Sequence, residues 1–268
     1  MSSLTKRILS AAVFLPLFIL LLFKGSPFQF LLFLLIFILL AMTEFYAFGK
    51  DLTTSRLRTF GYVWATLIAF AAYGGNFRYI MLSLSGGVMI LLLLRLLKGE
   101  ELESVTGEAG FLSFAILYVA FLMSHLILIR GLADGGALVL FLFVITWGGD
   151  TAAYFTGRAI GKVKLYTAIS PNKSVEGLIG GFFGGVVAAI VYKLALLPSV
   201  LLIDAMSAGV VIGVLGPLGD LAESMLKRSS GVKDSGGLIP GHGGILDRVD
   251  SILFSAPFLY YFLVLRYS

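Results

Sequence analysis

Residues 175–220, VEGLIGGFFGGVVAAIVYKLALLPSVLLIDAMSAGVVIGVLGPLGD, hold two long apolar runs, 175–197 and 200–220. A bilayer core takes about 20 mostly apolar residues per helix, so each run is long enough to cross one. The same ruler, carried outward, predicts seven more spans at about 8–23, 28–49, 59–74, 77–97, 109–129, 136–156 and 249–266. The expected fold is therefore an all-α, polytopic transmembrane helix bundle of about nine spans. Composition agrees: 59% of the 268 residues are hydrophobic, 13% are charged and the mean hydropathy is +0.99, far above a soluble domain of this length.

The first run stands behind Lys6 and Arg7 and ends in Lys24-Gly25-Ser26-Pro27 without a small-residue cleavage site, so it reads as a retained span. With nine spans, the N-terminus shares a side with the loops after even-numbered spans. Lys24, Arg78, Arg130, Lys193 and Arg266 fall on the other side, leaving fifteen of the twenty Lys and Arg residues on the N-terminal side. The positive-inside rule then puts the N-terminus and both long polar loops, 157–174 and 221–248, in the cytoplasm. The expected setting is the cell inner membrane, with the active site facing the cytoplasm. The formal charge of +5 is scattered between apolar runs, which argues against nucleic acid as a partner.

There is no cysteine and there are only two histidines, so any metal must be held mainly by oxygen. Gly180-Gly181 and Gly184-Gly185 have the small-xxx-small spacing that brings helices close together. Residues 1–135 read as N-terminal spans and 136–268 as the catalytic region with its loops, within one integrated membrane domain. No internal repeat is visible.

Function concentrates in residues 219–250, GDLAESMLKRSSGVKDSGGLIPGHGGILDRVD. If the eighth span continues as helix past Gly219, then Asp220, Glu223, Ser224 and Lys227, at i, i+3, i+4 and i+7, share a face. Asp247 and Asp250 repeat the three-residue spacing at the start of the ninth span. Two helix ends presenting carboxylates suit a hard cation such as Mg2+, which binds through one or two carboxylates plus substrate phosphates and water. Lys227, Arg228, Lys233 and Arg248 can neutralise phosphate oxygens, and the turn Pro240 to Gly244 brings backbone amides close to an anion. Ionisable groups at a membrane edge are costly unless paired or used, so this density reads as a phosphoryl-transfer site.

The string 224–250, SMLKRSSGVKDSGGLIPGHGGILDRVD, resembles the signature of the phosphatidate cytidylyltransferases, also called CDP-diacylglycerol synthases. The likeness runs through Ser224, Lys227-Arg228, Lys233-Asp234, Pro240 to Gly244, Asp247-Arg248 and Asp250. Upstream, Asp150, Ala153-Tyr154, Gly157-Arg158 and Gly161-Lys162 lead into Ser170-Pro171-Asn172-Lys173-Ser174-Val175-Glu176-Gly177, similar to the family's Ser-Pro-Lys-Lys-Thr-Trp-Glu-Gly stretch. Asn172, Ser174 and Val175 depart from it. The two regions cover about the C-terminal 40% of the chain.

The resemblance implies that the phosphate of phosphatidate attacks the α-phosphorus of CTP and pyrophosphate leaves, giving CDP-diacylglycerol for phospholipid biosynthesis. Bringing two polyanions together calls for cations, not a strong base. Asp220 and Asp247, flanking the loop from two spans, are the leading ligands for Mg2+, with Asp250 and Glu223 secondary and a second cation allowed for. Lys227 and Arg248 complete the catalytic set. Ser224, Arg228, Lys233, Asp234, His242, Gly243, Lys173, Ser174 and Asp150 are assigned to substrate. Ser174 and Glu176 equally suit a local capping role at the seventh span. His125 reads as a packing residue in the fifth span, and Glu44 as a pairing partner at the edge of the second. Phosphatidate requires a lateral opening between helices, and the family makes a homodimer an expectation. The rivals are a polytopic transporter and a CTP-dependent lipid-alcohol kinase.

Overall fold

A computed structural model of the chain describes residues 3–98, 102–237 and 243–267. In chain order the helices are α1 (Ser3–Lys24), α2 (Pro27–Phe48), α3 (Ser55–Tyr73), α4 (Phe77–Lys98), α5 (Leu102–Ala115), α6 (Leu122–Arg130), α7 (Gly135–Ile160), α8 (Val175–Leu196), α9 (Leu202–Ser229) and α10 (Leu246–Tyr267). A π-helical stretch, Ile116–Phe121, joins α5 to α6 in one rod, Leu102–Arg130. Among the described residues, seven helices are long and apolar enough to cross a membrane: α2, α4, the Leu102–Arg130 rod, α7, α8, α9 and α10. Among the described residues of α1 the stretch Phe14–Lys24 is apolar, and α3 carries Arg56 and Arg58 in its first turn.

Local chemistry sets the helix ends. Ser26 and Gln29 form a reciprocal capping box, Ser26 Oγ accepting from Gln29 N at 3.2 Å and Gln29 Oε1 from Ser26 N at 2.8 Å, with Pro27 at the first helical position. The segment Lys24 to Pro27 is thus a tight helix-to-helix turn. The polar loop expected over 157–174 begins after Ile160 and contains an antiparallel hairpin of β1 (Lys164–Tyr166) and β2 (Ser170–Ser174), with Lys164 opposite Ser174. Pro171 is tolerated because a two-stranded ribbon has only edges.

Glycines hold α7, α8 and α9 together. A Cβ on Gly149 would lie 3.2 Å from the Gly181 carbonyl oxygen, and one on Gly184 would lie 3.0 Å from that of Gly148. One on Gly209 would come within 2.9 Å of the Val186 backbone. The small-residue spacing read in the seventh span therefore serves close packing, as expected. At the site end, a Cβ on Gly219 would meet the Asp250 carbonyl oxygen at 2.5 Å, so α9 and α10 touch backbone to backbone. This contact, more than any loop, sets the acids of the two helices side by side.

Candidate active site

Helix α9 does run past Gly219, to Ser229, so Asp220, Glu223, Ser224 and Lys227 lie on one continuous helix. Asp220 Oδ2 pairs with Lys173 Nζ of β2 at 2.6 Å, and Ser224 Oγ donates to Asp220 Oδ1 at 3.3 Å. The hairpin thus aims Lys173 at α9. Asp150 of α7 lines the same cavity as Lys173, Ser174, Arg158, Tyr154 and Asp220, a space of about 570 Å3. Asp250 of α10 lies within electrostatic reach of Asp220, Asp150 and Lys173.

One turn further along α9, Lys227 Nζ lies 3.4 Å from Glu223 Oε2 and donates to Asp247 Oδ1 at 2.5 Å. Glu223 is fully buried, with neither carboxylate oxygen accepting a hydrogen bond in the structure beyond that ion pair. Asp247 is heavily engaged: its Oδ2 accepts from Ser235 Oγ at 2.9 Å, Gly244 N at 2.9 Å and Ser235 N at 3.1 Å. Gly243, at φ +80°, makes the turn possible; a Cβ there would also lie 2.9 Å from Asp247 Oδ2.

Asp220 and Asp247 therefore face different lysines within one network, joined through Glu223, whose charge also interacts with Asp250 and Asp247. The other expected residues sit around it. Ser174 caps α8, accepting from Gly177 N at 3.1 Å, the local contact foreseen for it, whereas Glu176 reaches back to the segment before the hairpin and accepts from Val163 N at 3.2 Å. Arg228 ties the two loops, donating to Ile169 O at 3.5 Å and Val232 O at 3.2 Å. Lys233 and Asp234 are exposed in the bend before Ser235, and Arg248 is exposed on the first turn of α10. His242, with Pro240 and Gly241, lies outside the described residues.

Glu44 is the residue that sequence reasoning undervalued. Buried at the end of α2, it pairs with no basic neighbour among the described residues; it accepts from Ile245 N and Leu246 N at 2.9 Å each and from Ser235 Oγ at 3.1 Å. It caps α10 from the opposite half of the chain, and Ser235 Oγ sits between it and Asp247. The signal was present: a carboxylate in an apolar span is costly unless used. His125 is packed against Phe121, Tyr260 and Tyr261, its Nδ1 3.0 Å from Phe121 O, as expected of a packing residue.

The network sets five carboxylates, Asp150, Asp220, Glu223, Asp247 and Asp250, against two lysines, Lys173 and Lys227. This excess of negative charge, in a purely oxygen donor set, fits a hard divalent cation. Among the described residues no three acids or histidines are grouped closely enough to hold an ion by themselves. Such an ion would thus take substrate phosphate and water as further ligands.

Fold and site together define a polytopic helical membrane protein with an acid-and-lysine network gathered at one end of the bundle. The chain belongs to the Cytidylyltransferase family, whose profile matches residues 5–266. It is 45% identical over 159 residues to a phosphatidate cytidylyltransferase of Bacillus subtilis (strain 168), covering 59% of each chain. It is 47% identical over 130 residues to a phosphatidate cytidylyltransferase of Haemophilus influenzae, covering 47% of this chain and 45% of that one. An uncharacterized protein of Escherichia coli (strain K12), YnbB, is 41% identical over 150 residues, 56% of this chain and 49% of that one. The matched segments span about half to three-fifths of the length of these relatives. The family resemblance carried by residues 224–250 is borne out.

Proposed function

We propose that the protein transfers the cytidylyl group of CTP to phosphatidate, releasing pyrophosphate and leaving CDP-diacylglycerol in the membrane. A phosphate oxygen of the lipid forms a bond to the α-phosphorus of CTP, and the bond from that phosphorus to the β-phosphate bridging oxygen breaks. The observation that carries this reading is the junction of Lys173, Asp220 and Asp150 around one cavity, beside the Lys227–Asp247 pair, in a chain of this family. The names of the curated relatives point to the same substrates.

In this reading Lys173 and Arg158, on the cavity wall, and Lys227, behind it, offset the charge of the triphosphate. Asp220 positions Lys173, and Ser224 holds Asp220. Of the expected ligands, Asp247 has its oxygens taken up by Lys227, Ser235 and Gly244, so Asp220 and the secondary candidate Asp250 would hold Mg2+, which when bound neutralises phosphate oxygens and leaves the phosphorus open to attack. Asp247 and Glu223 fix Lys227, and Asp247 also fixes the start of α10. No strong general base is required, since the attacking phosphate is already anionic at neutral pH. The family resemblance also assigns Arg228, Lys233, Asp234 and Gly243 of the neighbouring loop to the substrate.

Given nine spans, the excess of Lys and Arg on one side favours the N-terminus and the site in the cytoplasm, with the protein in the inner membrane. A homodimer follows the family resemblance. The test is to incubate purified protein in detergent with phosphatidate, radiolabelled CTP and Mg2+. Lipid-soluble label and pyrophosphate in equal amounts are expected. Release of CDP would point to a lipid-alcohol kinase. No label and no pyrophosphate in any of several detergents would remove the enzyme reading, and ion flux in proteoliposomes would favour a transporter.

A further inference from the structure

A second, apolar cavity of about 390 Å3 lies between α1, α2, α6, α7 and α10. Its walls are aromatic. Phe33 and Phe37 of α2 stand 4.6 Å apart between centroids, and Phe14 of α1 lies 6.2 Å and 6.0 Å from them. On the other side Phe143 of α7 meets Phe18 at 5.1 Å and Trp147 at 5.2 Å. Phe14 and Trp147 remain 42% and 40% exposed, so the wall between α1 and α7 opens toward the surroundings of the bundle.

The start of α10 stands between this cavity and the polar network. Ile245, Arg248 and Val249, spaced i, i+3 and i+4, line it, whereas Asp247 and Asp250 fall on the opposite face and belong to the network. Arg248 is the one charged side chain in the lining. A water molecule needs two to four polar partners, and the rings offer none, so hydrocarbon is the occupant that suits the space. Lipid tails are as apolar as these rings, so a chain entering from the bilayer gains little hydrophobic energy. What the cavity adds is orientation, with a cationic group where the hydrocarbon ends.

We propose that this cavity is the lipid subsite, in which one acyl chain of the phosphatidate lies among the rings of α1, α2 and α7 while its phosphate meets Arg248 beside Asp247. The inference rests on the proposed cytidylyl transfer and names where its lipid enters: between α1 and α7.

The test uses the full-length protein in lipid nanodiscs and a phosphatidate carrying a diazirine midway along one acyl chain. Turnover of this probe with CTP is measured first; its failure would count against the transferase reading itself. After irradiation, mass spectrometry should find label in residues 30–37, 123–126 and 143–147, displaced by unlabelled phosphatidate and not by phosphatidylcholine. Label confined to other faces, or displaced equally by phosphatidylcholine, overturns the subsite even with turnover intact. In parallel, Leu126→Trp narrows the cavity. It should raise KM for long-chain phosphatidate by about tenfold, as crowding of an apolar pocket does, and leave dibutanoyl phosphatidate and the KM for CTP unchanged. No change, or an equal loss with both chain lengths, counts against the proposal.

Discussion

Replacing Glu44 by alanine measures how far the site depends on the N-terminal half of the chain. The carboxylate accepts from Ile245 N and Leu246 N at 2.9 Å each, and from Ser235 Oγ at 3.1 Å. A buried donor stranded without an acceptor costs about 1–3 kcal/mol, so losing both amide bonds comes to about 2–6 kcal/mol, all of it where α10 begins. The stranded amides will shift to find other acceptors, and Asp247, next in sequence to Leu246, moves with them. A misplacement of about 1 Å at a reacting site costs on the order of 10²-fold in rate. The expected result is a variant that still inserts and elutes as the parent does, with kcat down about 10²-fold. Glu44→Gln keeps one carbonyl acceptor and should lose only about tenfold, the equivalent of one such bond. The assay is formation of lipid-soluble label from radiolabelled CTP, with size-exclusion chromatography and melting temperature read on the same samples. An alanine variant within about twofold of the parent would refute the role given to Glu44, since three buried hydrogen bonds cannot vanish at the site without effect.

Asp220→Asn and Lys173→Met should each lower turnover by about 10²-fold or more, and the double variant should lose less than the product of the two because Asp220 positions Lys173; fully multiplicative losses would show that their contact does not couple them. Lys227→Met strands the carboxylates of Glu223 and Asp247 and should destabilise the fold by about 3–5 kcal/mol, seen as a lower melting temperature; an unchanged melt would show that the ion pairs are not needed for the packing. Gly219→Ala places a Cβ 2.5 Å from the Asp250 carbonyl oxygen and should reduce activity by pushing α9 from α10, whereas Gly86→Ala, with open space around it, should be silent. The chain lacks cysteine, so single cysteines report sidedness directly. In intact cells, Asn76→Cys and Ser199→Cys should react with an impermeant maleimide and Lys164→Cys and Ser229→Cys should not; the reverse pattern would invert the topology.

The order of the helices and the continuation of α9 through the acid-rich stretch were legible because both rest on local signals. Leu221 to Lys227 are mostly good helix formers, so the i, i+3, i+4, i+7 spacing translated into a real helical face. The glycine pairs likewise announced close helix packing. Partners were not legible. Periodicity says that Asp220 and Asp247 lie near helix ends; it cannot say that one takes Lys173 and the other Lys227. Glu44 shows the limit best, since its acceptor role is defined by amides about 200 residues away, |i−j| being 201 and 202. The hairpin at 164–174 was missed because strands of three and five residues leave almost no alternating pattern to read.

The most direct measurement is a structure with CTP and Mg2+ bound in lipid. The triphosphate should lie in the cavity lined by Asp150, Lys173 and Asp220, with the metal on Asp220 and Asp250 and the lipid phosphate approaching from Arg248. Nucleotide bound at the opposite end of the bundle, or with Lys173 and Asp220 still paired and remote from any phosphate, would contradict the proposed chemistry.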